Sequence, residues 1–266
     1  MSANHAAFNL IFRFVENYIS PIAGRISSQR HVMAIRDGFI SAMPFMIVGS
    51  FLLVFAYPPF SPDTTWGFAR AWLDLAKEFE GRILTPFDMT MGIMSIYICA
   101  AISYNLGKHY EKSNQLDPFM CAMLSIMAFL LIAAPKTSGT LPVDSLGGTG
   151  IFTAILVAIY CVEMMRFLKA HNIGIRLPDQ VPPMIKNSFD LLIPVLVVVL
   201  TLYPLSLFIQ HHFDMLIPQA IMAIFKPLVS AADSLPAILL AVLIGHLLWF
   251  AGIHGAAIVS GMLQMF

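Results

Sequence analysis

Long apolar runs alternate with short polar stretches along this chain, and the length of the runs decides what they can do. Crossing a hydrocarbon layer about 30 Å thick takes about 20 mainly apolar residues at a rise of 1.5 Å each. Five runs approach that length: Phe39–Tyr57, Met91–Gly107, Phe119–Ala134, Ile151–Leu168 and Leu191–Ile209. Pro194 and Pro204 in the fifth predict bends, with neighbouring helices satisfying the freed carbonyls. Met215–Phe225 is too short to cross. Leu235–Phe266 has 32 residues without a Lys, Arg, Asp or Glu, too many for one straight helix. Its glycines predict a sixth span ending near Trp249, then a chain that turns back into the bilayer, where irregular backbone must line protein or a watery cavity.

The intervening segments give the organisation. Phe8–Ile22 repeats apolar side chains at helical spacing among Arg13, Glu16 and Asn17, predicting a helix that lies along the membrane surface. Pro135–Gly150 is rich in Gly, Pro, Ser and Thr and predicts irregular backbone. Ile175–Pro194 carries several prolines and predicts a shaped loop. The expected fold is an all-α polytopic membrane protein with about six transmembrane helices, an N-terminal interfacial helix and the start of a re-entrant hairpin. Its parts are an interfacial segment 1–30, a five-span domain 31–210 and the beginning of a second domain, 211–266.

Composition strengthens this reading. Hydrophobic residues make up 58% of the chain and charged residues 11%, against about 25% charged in soluble domains. The net charge is zero, with 15 basic and 15 acidic residues, so nothing in the balance points to nucleic acid. With the N-terminus inside, inner segments hold ten Lys and Arg and outer loops four. That bias predicts a cytoplasmic N-terminus in a multi-pass protein of the cytoplasmic membrane. Cys99, Cys121 and Cys161 sit singly inside apolar runs and read as small buried hydrophobes.

Polar groups in hydrocarbon are costly, so each asks for a reason. His254, in the sequence GIHG between Gly252 and Gly255, offers both donor and acceptor to a sugar hydroxyl, and the glycines allow close backbone approach. It equally fits a histidine satisfied by carbonyls at a helical break. Trp249 beside it suits either stacking on a sugar face or anchoring at the interface. His246, His211 and His212 lack the spacing of metal ligands, and no metal or cofactor is expected. Glu163 and Arg166 stand three residues apart, as an ion pair on one helix face requires. Asp88, Glu163 and Asp190 leave open a proton-coupled carrier, whereas no nucleophile or paired carboxylates point to a membrane enzyme.

Four stretches, QRHVMAIRDGFISAMPFMIVGS, MGIMSIYICA, LPDQVPPMIKNSFDLLIP and WFAGIHGA, occur in that order. Together they resemble the membrane IIC component of sugar phosphotransferase permeases of the lactose, cellobiose and diacetylchitobiose type, lacking the C-terminal third. The resemblance implies a homodimeric carrier for a β-linked disaccharide whose first five spans face the dimer partner. It implies that a separate cytoplasmic IIB protein, supplied by IIA, phosphorylates the sugar, with no phosphorylated residue in this chain. It also implies that His254 is the sugar-binding histidine, held by Gly252 and Gly255. The sequence reaches Phe266 without the asparagine-glutamate-proline segment that such permeases carry in a second hairpin. A non-transporting remnant or dimerisation partner therefore stands as the alternative.

Overall fold

The computed structural model describes residues 28–135, 142–175 and 189–230, with positions 25, 178, 180, 182, 185, 239, 242, 243, 245 and 246 beyond them. Among the described residues the regular structure is helical: α1 Arg30–Ala56, α2 Gly67–Asp88, α3 Met94–Asn114, α4 Pro118–Ala133, α5 Ile151–Ala170, α6 Leu192–Phe213 and α7 Ile217–Ser230. The five apolar runs correspond to α1, α3, α4, α5 and α6. Of these, α1, α5 with the turn before it, and α6 are long and apolar enough to cross a membrane, and α4 is a shorter apolar helix. Helix α3 is 21 residues long and lies at the centre, packed against α1, α4 and α5. The interfacial helix expected over Phe8–Ile22 and most of Leu235–Phe266 lie outside the described residues.

Each hydroxyl-bearing residue in an apolar helix needs an acceptor, and the nearest is the carbonyl four residues back. Ser41, Ser50, Ser103 and Thr201 all donate to that carbonyl, at 2.7–2.8 Å. Side chains cap the starts of α1 and α4, through Gln29 and Asp117. Asp117 caps α4, its carboxylate accepting from the backbone N–H groups of Phe119 and Met120, and Pro118 occupies the first turn where an N–H is not required. Gln115, Asn172 and Asp214 take left-handed backbone angles just past α3, α5 and α6. Pro194 falls in the first turn of α6, so it needs no break there, while Pro204 lies inside that helix.

The structure adds a helix that hydropathy does not show. Arg70, Lys77 and Arg82, expected in a loop, lie on α2, a 22-residue amphipathic helix that returns over the end of α1. Trp72 donates from Nε1 to the carbonyl of Phe55 at 3.2 Å, and Tyr57 donates to Glu80 at 2.9 Å. Phe55, Phe60, Trp66, Phe68 and Trp72 pack tilted or edge-to-face against one another with centroids 5.4–5.9 Å apart. Such rings belong at a membrane–water boundary, apolar in body and polar at the tip.

Helices α1 and α3 touch backbone to side chain. A Cβ on Gly38 would stand 2.4 Å from Ile102 Cγ1 and 2.9 Å from the Ile102 nitrogen. The loop before α5 is held as closely: Ser95 donates its hydroxyl to the Gly147 carbonyl and its N–H to that of Leu146. Gly38→Val should lower the unfolding free energy in detergent by about 3 kcal/mol through overpacking against α3. Gly81 on α2 has open space around a Cβ, and Gly81→Ala should stay within about 1 kcal/mol, on the stabilising side. Thermal melts followed by tryptophan fluorescence measure both, and equal midpoints for Gly38→Val and the parent would contradict the packing.

Candidate functional site

The contacts between helices define two ends of the bundle. Tyr110 at the end of α3 meets Glu163 near the end of α5, and His31 at the start of α1 meets the same carboxylate. Lys169 reaches the carbonyl of Gln115 at 2.7 Å and Asp190 at 3.1 Å. So the start of α1, the α3–α4 connection, the end of α5 and the approach to α6 gather at one end. The other end holds the aromatic cluster, the turn at Met89–Ile93 and the loop at Leu146–Gly150. The segments counted as inner by their Lys and Arg, so far as they are described, thus share one end.

Glu163 organises that end. Its Oε1 accepts from the Tyr110 hydroxyl at 2.7 Å and from His31 Nε2 at 2.9 Å; its Oε2 accepts from Arg166 at 2.6 Å. The predicted pair with Arg166 is present, and two partners that sequence spacing could not reveal, 53 and 132 residues away, join it. Gln29 fixes the state of the imidazole. Its side-chain oxygen accepts from the Val32 N–H as the cap of α1, which leaves its amide nitrogen to face His31 Nδ1 at 2.7 Å. With that nitrogen donating, Nδ1 accepts and Nε2 carries the hydrogen given to Glu163. Charge-assisted hydrogen bonds of this kind contribute about 1.5 kcal/mol or more each when shielded, less with partial exposure.

Below this cluster a cavity of ≈ 440 Å³ opens between Ser113–Gln115, the Lys169–Ile175 turn and Asp190. At the aromatic end a second, of ≈ 490 Å³, lies between the end of α1 and the polar face of α2, with Arg70, Asp74, Lys77 and Glu80 in its wall. Neither contains the residues singled out for a sugar. Trp249, Gly252, His254 and Gly255 all lie outside the described residues, so the structure brings none of them together. His246 is described: its Nδ1 meets the carbonyl of Val242 at 2.7 Å, four residues back. His212 and His171 bond their own helices in the same way. No group of three His, Cys, Asp or Glu among the described residues is placed to hold a metal ion. Cys99, Cys121 and Cys161 are buried and free.

Helices of this length and hydropathy define a polytopic α-helical integral membrane protein. Comparison with known proteins narrows the class. The family model described as "Phosphotransferase system, EIIC" matches residues 36–266, and the chain belongs to that family. A cellobiose-specific EIIC component from Geobacillus stearothermophilus is 34% identical over 94% of this chain and 57% of its own length. A lactose-specific EIICB component from Streptococcus mutans is 34% identical over 90% of this chain and 42% of its own. The crystal structure of the transporter ChbC, the IIC component of an N,N'-diacetylchitobiose-specific phosphotransferase system, superposes with a TM-score of 0.72 at 33% identity. It is covered over 94% of this chain and 60% of its own. The chain therefore spans little more than half the length of the cellobiose-specific relative.

Glu163→Ala should destabilise the bundle by about 2 kcal/mol, and His31→Ala or Tyr110→Phe by about 1 kcal/mol each. The latter two should be coupled, since both donate to one oxygen, with a double-mutant interaction energy of about 0.5 kcal/mol or more. Unfolding midpoints in detergent measure the cycle. Strict additivity would show that the shared carboxylate does not unite the three helices.

Proposed function

We propose that this chain is a sugar-specific permease component that binds and translocates a β-linked disaccharide, coupled to its phosphorylation by a separate IIB protein charged by IIA. The observation that carries the reading is identity of 34% to a cellobiose-specific EIIC component across 94% of this chain. Of the three carboxylates that would serve a proton-coupled carrier, Glu163 and Asp190 are held in ion pairs, and Asp88 is exposed at the end of α2. In this reading the sugar is held by His254, whose imidazole bonds a hydroxyl between Gly252 and Gly255, with Trp249 stacking beside it. Segment 1–30 lies at the membrane surface, residues 31–210 form a five-span domain facing a second copy, and 211–266 begin the sugar-binding half. A sixth span and the first arm of a re-entrant hairpin complete it. The chain itself supplies recognition and a path, and the phosphoryl group comes from IIB.

Phosphorylation of cellobiose by phosphoenolpyruvate in membrane vesicles supplemented with IIA and IIB tests the activity. His254→Ala should raise the sugar concentration needed by at least about tenfold through loss of a buried hydrogen bond and its orientation. An unchanged sugar dependence would remove His254 from the site.

In this reading the N-terminus is cytoplasmic, with the Glu163 end inside and the aromatic end outside, as the Lys and Arg bias of the connecting segments favours. The three native cysteines are buried, so a single exposed cysteine gives the signal. In intact cells Asp63→Cys should react with a membrane-impermeant maleimide, and Lys112→Cys only after permeabilisation. The reverse pattern would invert the topology.

A further inference from the structure

The Glu163 cluster leaves one charge over. Arg36 is paired with Asp37, Arg166 with Glu163 and Lys169 with Asp190. Arg30, the first residue of α1, is exposed and has no carboxylate partner among the described residues. Its guanidinium carbon lies 5.6 Å from the centroid of the Tyr110 ring, and that of Arg166 lies 5.1 Å from the same centroid. Tyr110 is itself buried, 4% exposed, and fixed by its bond to Glu163. Two guanidiniums are thus held at one buried ring, facing one carboxylate between them, and Arg166 directs both Nε and Nη2 at Oε2 of Glu163. Arg30 also lies within hydrogen-bonding reach of the Tyr110 hydroxyl, and no carboxylate among the described residues takes its remaining donors.

The depth of this surplus charge indicates its ligand. Arg30 starts a helix long enough to cross the bilayer, which puts it at the level of the phospholipid phosphates. Along α1 a row at spacings of three and four residues runs from Arg30 through Met33, Asp37, Ile40, Pro44 and Ile47 to Phe51. Ile40, Ile47 and Phe51 are 55%, 49% and 64% exposed. Past the Arg36–Asp37 pair, the row continues as an exposed apolar strip from Ile40 to Phe51, about 17 Å long, so a headgroup at Arg30 has an apolar face below it for an acyl chain.

We propose that Arg30 and Arg166, braced on Tyr110, form a binding site for the phosphodiester of an anionic phospholipid whose chain lies along the exposed face of α1. A guanidinium pair recognises phosphate oxygens by charge and by forked hydrogen bonds. Net negative charge on the headgroup distinguishes the ligand from a zwitterionic lipid, whose own ammonium competes for the phosphate. Glu163 sets the affinity by opposing the phosphate while it orients Arg166.

Native mass spectrometry of the protein released from detergent, titrated with phosphatidylglycerol or phosphatidylcholine of matched chains, tests this. Phosphatidylglycerol should be retained in preference, and Arg30→Gln should reduce its occupancy about fivefold, from the loss of one interfacial cation. Arg30→Lys should keep most of it, exposed Lys112→Gln should leave it unchanged, and Glu163→Gln should raise it. Circular dichroism on each variant separates lost binding from lost fold. Equal retention of both lipids, or an Arg30→Gln variant that binds phosphatidylglycerol as the parent does, would overturn the proposal. Displacement by millimolar inorganic phosphate would reassign the site to a free anion. Unaltered lipid retention alongside weakened phosphorylation by IIB would reassign it to an acidic protein face.

Discussion

Everything in this bundle depends on how closely helices can approach α3. Between helices in lipid there is no hydrophobic driving force, since the tails are as apolar as leucine, and cohesion comes from close packing and internal hydrogen bonds. Small residues stand where the approach to α3 is closest, Gly38 on α1 against Ile102 and Cys121 on α4 against Gly107, and the buried cluster around them mixes Ala34, Ala42, Ala128, Ala154, Ala158 and Cys161 with the larger Phe39, Leu124 and Phe129. Gly107 on α3 completes the pattern, its missing side chain leaving room for Cys121 and Pro118. The cysteines belong to this logic. They are small, polarizable side chains at helix contacts, with no disulfide among them.

Close packing alone would let the helices slide along their axes, and the polar contacts at the ends fix their register. Glu163 binds α1, α3 and α5 in a single carboxylate, and Lys169 ties α5 to both the α3–α4 connection and Asp190. At the opposite end Ser95 clasps the loop before α5. Polar groups so near the hydrocarbon contribute more than they would at a soluble protein's surface, because water competes for them less. An arrangement pinned at both ends and closely packed between them is a stiff one.

The apolar runs were legible because burial in lipid demands unbroken hydrophobicity over a fixed length, and α1, α3, α4, α5 and α6 answer to the five runs with shifts of a few residues at most ends. The start of α1 is the largest exception: its first nine residues, Arg30 to Gly38, are polar enough to read as a connection. Helix α2 was invisible to hydropathy because Arg70, Asp74, Lys77, Glu78, Glu80 and Arg82 dilute it, though the helical spacing of Trp72, Ala76 and Phe79 carried the signal. Of the charged cluster only the Glu163–Arg166 pair was legible, since a sequence displays neighbours on one helix and not those brought together by packing. The sugar-site reading over Trp249–Gly255 rests on its motif, as those residues lie outside the described part of the chain.

The partners of Glu163 explain why an ionisable group near the end of an apolar helix is not by that fact a transport group. A carboxylate that shuttles protons needs a free lone pair and a path to water, whereas here both oxygens already accept from fixed donors. Protonation would remove the charge that these bonds share and weaken the links from α1 and α3 to α5. The same residue in a carrier with mobile partners would read as a coupling site, so the distinction lies in the donors rather than in the carboxylate. Held by donors from His31, Tyr110 and Arg166, Glu163 works as a fastener between helices, and its charge is used in packing rather than exchanged.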